Sequence, residues 1–389
     1  MKEKHANKFN INIVLLGIVS FLNDLGSEMI LPILPMFITS LGGAGLVVGL
    51  IGGVRESISS ILKIFSGYWS DRTGRRKAFV TAGYLTSAVF KLLLAFSQTW
   101  QHILVFTGFE RVGKGLRTAP RDAIIADSMP KARGRGFGVH RAMDTAGAVL
   151  GSAAVFLLFW FFGLSFKSII LLAAVIGFLS LVPLYFVTEK KREQSDTSMR
   201  IGLKNLPLQL KLFIFISGIF SLANFSYMFF ILRAQEHFTG KLSIGAPILL
   251  YILYNIVYTL FAVPFGALSD RVGRRRVIAA GYLLFTLTTL GFAYFTSLPA
   301  LVVLFGLYGM VYAITDGNQR AYVADLAPAG LKATALGTFH TVTGLGALPS
   351  SIIAGFLWQT DPVATFIYGA AVSFISVLLF IVPSGYFEK

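Results

Sequence analysis

About twelve runs of mostly apolar residues follow one another along this chain, near 11–38, 46–69, 78–97, 102–126, 136–163, 166–187, 209–235, 243–268, 277–297, 299–325, 334–359 and 363–385. Each approaches or exceeds the roughly 20 residues a helix needs to cross a bilayer. In lipid a helix satisfies its own backbone polar groups, so such a chain folds as a bundle of spanning helices. Composition agrees: 55% of the 389 residues are hydrophobic and 13% are charged, about half the charged share of a soluble domain. The expected fold is an all-α polytopic membrane protein. The first run is long for a secretory leader and no small-residue cleavage site follows it, so it reads as an uncleaved first span.

Charge placement sets an orientation. The net charge is +16, which in a soluble protein would raise nucleic acid as a partner. Here 22 of the 34 Lys and Arg fall on one side of the expected spans, and only Lys167 and Lys241 fall on the other. That bias follows the positive-inside rule and places both termini in the cytoplasm, in the plasma (inner) membrane of a prokaryote. It argues against a nucleic-acid partner and for contact with anionic lipid. There is no cysteine, which excludes disulfides, thiolate nucleophiles and Cys-based metal sites. No motif implies a cofactor or a metal.

The chain repeats itself. GYWSDRTGRR at Gly67–Arg76 and GALSDRVGRR at Gly266–Arg275 share seven letters at identical spacing. Asp71 and Asp270 are 199 apart, and Asp127 and Asp325, each opening an Asp-x-x-Pro turn, are 198 apart. A duplicated six-span unit explains both landmarks, with parallel halves because six is even. The polar stretch Thr188–Pro207 is the linker, giving bundles at 1–187 and 208–389.

The loop pattern Gly-x-x-x-Asp-Arg-x-Gly-Arg-Arg, once per half, resembles the signature loop of the major facilitator superfamily. With twelve spans, a long central loop and two related halves, the resemblance covers essentially the whole chain. It implies secondary transport by alternating access, with the loop as a latch. On that reading Gly67, Asp71, Arg72, Gly74, Arg75 and Arg76, and Gly266, Asp270, Arg271, Gly273, Arg274 and Arg275, form two gating loops, with Asp122 beside the first. A carboxylate near a helix N-terminus is favoured by the dipole, and Gly67 permits close approach.

Seventeen ionisable residues lie inside the spans, all but Arg233, Asp316 and Arg320 in the first half. Ionisable groups at such positions face a cavity or a partner. Span 1 carries Asp24 and Glu28 one turn apart on one face. Two close carboxylates in a low dielectric suit a proton carrier; alternatively, each is a fixed partner for Arg111 or Arg55. Span 4 holds Glu110, Arg111, Lys114, Arg117, Arg121 and Asp122 within an arc of roughly 140°, which lines either a water-filled path or a set of paired charges. Its Arg111-Val-Gly-Lys-Gly segment partly resembles the superfamily's antiporter motif, in which the Arg tunes a nearby acid. In span 5, Arg141 and Asp144 are one turn apart, and the antiporter signature there is incomplete. The second half offers Asn224, Tyr227, Tyr254, Asn255, Asp316 and Arg320, groups suited to an amphipathic organic molecule.

No Walker-type loop is present, nor His-Glu-x-x-His or Gly-x-Ser-x-Gly, nor a repeated filter loop, which argues against an ATP-driven pump, an intramembrane enzyme and a channel. The expectation is proton-coupled efflux of a small organic solute by a monomer, with transport of an organic or inorganic anion as the alternative. Proton-coupling candidates are Glu28, Asp24, Arg111 and Asp144. Pathway candidates are Arg55, Lys114 and Arg117 with the six named in the second half.

Overall fold

A computed structural model describes residues 11–129, 133–189, 206–328 and 331–381. Most of the linker and both chain ends, which carry part of the orientation argument, lie outside them. The described residues form helices and no strand. In order these are α1 (Ile11–Ile30), α2 (Leu34–Ser40), α3 (Gly45–Thr73), α4 (Arg76–Ala95), α5 (Trp100–Ser128), α6 (Arg133–Trp160), α7 (Phe166–Leu179) and α8 (Leu181–Tyr185). The second half supplies α9 (Leu208–Ala223), α10 (Met228–Gln235), α11 (Leu242–Val272), α12 (Arg274–Tyr294), α13 (Leu298–Leu326), α14 (Lys332–Thr360) and α15 (Pro362–Ile381).

Eleven stretches are long and apolar enough to span, with α7 and α8 counted as one and α9 and α10 as one. The remaining long helix, α5, has 29 residues. Its own ionisable residues lower its hydropathy, and with it the expected twelve are accounted for. Two breaks have clear causes. Between α1 and α2 the helix loosens around Pro32, where a ring replaces an N–H. Span 7 is interrupted at residues 224–227, between α9 and α10, which places Asn224 and Tyr227 at the interruption.

The described residues group into two compact units. The first holds residues up to Ile33 and from Ile58 to Glu189; the second holds Leu34–Ser57 and the residues from 206 onward. The upper half of α3 thus packs with the second unit, where Gly45 and Gly49 meet the backbone of α14 at Gly355 and Ser351. The expected bundle 1–187 had included that stretch.

In the first unit, α1 packs chiefly on α6, and α4 on α5. Gly147 and Gly151 permit the α1–α6 approach: a Cβ at either would collide with the carbonyl oxygens of Phe21 and Leu25. This close seam brings Asp144 of α6 up to Asp24 of α1. The unit also holds an apolar cluster of Leu16, Val19, Val80, Tyr84, Ile124, Ile125, Leu184 and Val187. The second unit is built on aromatic packing. Phe220 stacks on Tyr282 at 3.7 Å, and Phe230 lies between Phe292, Tyr308 and Phe366.

Candidate functional site

The polar residues of the first unit converge between α1, α4, α5 and α6. Lys91 of α4 is 1% exposed. Its ammonium donates to the backbone oxygen of Asn23 (3.2 Å), to Asn23 Oδ1 (3.2 Å) and to Ser27 Oγ (2.8 Å). Asn23 Nδ2 in turn donates to Asp24 Oδ1 at 3.1 Å. The Asp24 carboxyl lies within hydrogen-bonding reach of Asp144, with Lys114 and Arg117 close to it. Arg141 reaches Asp144 from one turn back, at 3.2 Å. A polar chain therefore crosses the unit from α4 through α1 to α6.

Around it, buried charges are held by neighbours, as burial demands. The Arg117 guanidinium lies over the Tyr84 ring at 4.5 Å and donates to Ser87 Oγ at 2.5 Å. Arg121 donates to Ser20 Oγ (3.0 Å) and pairs with Asp122 (2.9 Å). Glu110 and Arg111, both buried, form an ion pair at 3.2 Å. Glu28 is half-buried one turn beyond Asp24. Of the two readings of the span-4 stripe, paired charges describe Glu110, Arg111, Arg121 and Asp122.

The two decapeptide loops form clasps. Arg76, 8% exposed, reaches Asp71 through Nε (2.9 Å) and Nη2 (2.5 Å) and Asp127 through Nη1 (2.7 Å). The Glu189 carboxylate accepts the N–H groups of Arg76 (2.7 Å) and Lys77 (3.0 Å), capping the start of α4, a favourable place for an anion. In the second loop Arg274 binds Asp270 at 2.8 Å and Asp325 at 2.5 Å. Letter for letter, Arg274 matches Arg75, yet Arg75 is exposed and Arg76 does the clasping. The cause is a one-residue difference. Gly74 and Gly273 both turn the chain with positive φ (65° and 96°), but α12 starts directly after Gly273 whereas α4 starts two residues after Gly74.

Other loop residues divide. Arg72 donates to Tyr68 Oη at 3.3 Å, Arg271 is exposed, and Arg275 donates to the Phe380 carbonyl. Asp122 was expected beside the first loop; it pairs with Arg121, and Asp127 and Glu189 are acids joined to the loop. A Cβ at Gly67 would lie 3.3 Å from Ala119 of α5, whereas at Gly266 it would meet open space. The close approach at Gly67 is thus to a helix of its own unit, and Gly266 has no such approach within its surroundings.

The second unit gathers tyrosines rather than charges. Tyr254 lies 5.0 Å from Tyr308 and 5.6 Å from Tyr312, ring centre to ring centre. Tyr227 and Tyr251 continue the group. Tyr312 Oη donates to Asn224 Oδ1 at 3.2 Å, at the break in span 7. Tyr258 Oη and Arg320 Nη2 both donate to Asp316 Oδ2, at 2.8 and 2.7 Å. Asn255 donates back to Tyr251 O at 3.3 Å. Arg55 is 4% exposed and belongs to this unit. Sequence reasoning missed Asn23, Tyr84, Tyr308 and Tyr312 as site residues and saw Lys91 only as an in-span charge. The spacing of four through Tyr308, Tyr312, Asp316 and Arg320 was a legible face.

Comparison with known proteins fits this architecture. The family model described as Major Facilitator Superfamily matches residues 16–251 and 213–387. The uncharacterized MFS-type transporter MJ1317 of Methanocaldococcus jannaschii is 56% identical over 381 residues, 97% of this chain and 96% of that protein. The multidrug resistance protein MdtH of Aeromonas salmonicida is 25% identical, over 88% of this chain and 86% of that one. Among solved structures, the nucleoside transporter NupG superposes with a TM-score of 0.79 at 16% identity, over 98% of this chain and all of that one. The POT family transporter PepTSo gives 0.79 at 12%, over 97% and 99%. A fold of paired helical bundles, the twice-written loop and a relative matched over nearly its whole length agree: the chain belongs to the major facilitator superfamily, a family of membrane transporters.

Proposed function

We propose that this transporter exports a small organic solute in exchange for protons, by alternating access of its two halves. The observation that carries the reading is the Asp24–Asp144 carboxyl contact between α1 and α6, with Lys114 and Arg117 of α5 close to it. A proton on this pair and a solute bound elsewhere on the path would compete through the conformational equilibrium, which is how exchange is coupled. Glu28 lies one turn beyond Asp24 on α1, and Arg111 lies on α5 near Lys91. The tyrosine group with Asn224, Asp316 and Arg320 supplies aromatic faces and hydrogen-bonding groups for an organic solute. The clasps at Arg76 and Arg274 hold the loops whose release accompanies the cycle. The similarity to MdtH supports efflux. The protein would act as a monomer in the plasma membrane with cytoplasmic termini, as the basic bias argues. Lys114, Arg117 and Arg121 beside the acids favour an anionic solute as the second reading.

Vesicles of purified protein loaded with ethidium, uridine or dialanine test this. Ethidium efflux should follow an imposed proton gradient and stop in Asp24→Asn. Efflux indifferent to both the pH gradient and the membrane potential would refute proton coupling.

A further inference from the structure

We infer that Lys91 is a positioning residue for the Asp24–Asp144 pair and acts on it through Asn23. The inference deepens the proposed proton site and rests on that pair. Its basis is the one-way polarity of the chain of hydrogen bonds. An ammonium has three donors and no acceptor. Lys91 spends two of them on Asn23, one on the backbone oxygen and one on Oδ1, and the third on Ser27 Oγ. Ser27 Oγ itself donates to the Asn23 backbone oxygen at 2.9 Å. The Asn23 amide is therefore held with its carbonyl toward the cation, and its NH2 has to face the other way. There it meets Asp24 Oδ1.

An asparagine side chain is nearly symmetric in shape, so without a fixed donor on one side it can turn over. Turned over, it would present Oδ1 to the Asp24 carboxylate, oxygen against oxygen. Lys91 thus sets whether Asp24 meets a donor or an acceptor. A buried lysine is costly unless fully satisfied, and here all its donors have acceptors. Other charged groups face the same site. They are Glu28 on α1, Glu110, Arg111, Lys114, Arg117 and Arg121 on α5, and His140 and Arg141 on α6; α7 brings only Lys167, at its exposed start. Several cations therefore act on the pair through space, and the distinguishing property of Lys91 is its route through one amide.

Infrared titration of the full-length protein reads this without any transport step. The carboxyl band of Asp24 is assigned by its loss in Asp24→Asn. Lys91→Met should move the midpoint of that band toward alkaline pH by about one unit, the value of one hydrogen bond to a charged group. Asn23→Leu should move it equally, and the double variant no further. Lys91→Arg, which keeps a donor and a charge, should stay near the native midpoint and serves if Lys91→Met does not fold. A Lys91→Met shift that persists at full size in the Asn23→Leu background would overturn the inference, as would an unmoved midpoint or the lack of any titrating band lost in Asp24→Asn. If the bands move as expected while vesicle transport ignores the proton gradient, the positioning role stands and proton coupling fails.

Discussion

The two clasps predict a reversal that the repeated letters conceal. In the first loop the arginine that matters is Arg76, and in the second it is Arg274, the letter-for-letter partner of Arg75. Arg76 lies between two carboxylates whose side chains are 45% and 40% exposed, Asp71 and Asp127. That exposure discounts each pair to the upper end of surface values, about 1 kcal/mol. Removing both contacts in Arg76→Ala should therefore cost about 2 kcal/mol, with the packing of the buried stem added. Arg75→Ala removes an exposed side chain and should stay within about 0.5 kcal/mol. In the second loop Arg274→Ala should cost slightly less than Arg76→Ala, because the Arg274 side chain is 23% exposed against 10% for the Arg76 side chain. SDS titration of the micelle-bound protein, followed by tryptophan fluorescence, reads these differences. If Arg75→Ala destabilises as much as Arg76→Ala, the one-residue register argument is wrong.

Three further outcomes follow from the geometry. Gly151→Leu forces a side chain into the carbonyl of Leu25, so the α1–α6 seam must open. Overpacking costs about 1–3 kcal/mol, and the yield of monodisperse protein on size exclusion should fall sharply; a native yield would contradict the close approach. Tyr258→Phe deletes one donor to Asp316, worth about 1 kcal/mol, and should weaken ethidium binding by about fivefold in fluorescence titration. Unchanged binding would remove Tyr258 and Asp316 from the solute path. Arg111→Ala should displace the pH profile of transport in vesicles, and a superimposable profile would exclude Arg111 from tuning the acids.

Much of the architecture was legible in the letters. Apolar run lengths located the spans, and the repeat at offsets of 198 and 199 located the two loops. The kink at Pro32 was readable because proline removes a donor. The break at Asn224 was not, since nothing between Ala223 and Met228 forbids a helix locally; tertiary packing opens it. The candidate site was legible as a list of charged residues but not as pairs. Asp24 and Glu28 share a helix face, so sequence favoured them as a couple. The contact is between Asp24 and Asp144, because two glycines on α6 bring a different helix to Asp24. Likewise Asp122 and Asp127 are both acids near one helix end, and only the fold decides which meets Arg76. The partners of Lys91 were not legible, because its acceptors, Asn23 and Ser27, are neutral and 64 to 68 residues away.

On the proposed function, the Asp24–Asp144 pair exchanges a proton as solute moves. Its most direct test is proton release on adding ethidium to lightly buffered, detergent-solubilised protein, with Asp24→Asn and Asp144→Asn alongside. The native protein should release protons, with little or no release from either variant. Ethidium binding of native strength with undiminished proton release in both variants would contradict it.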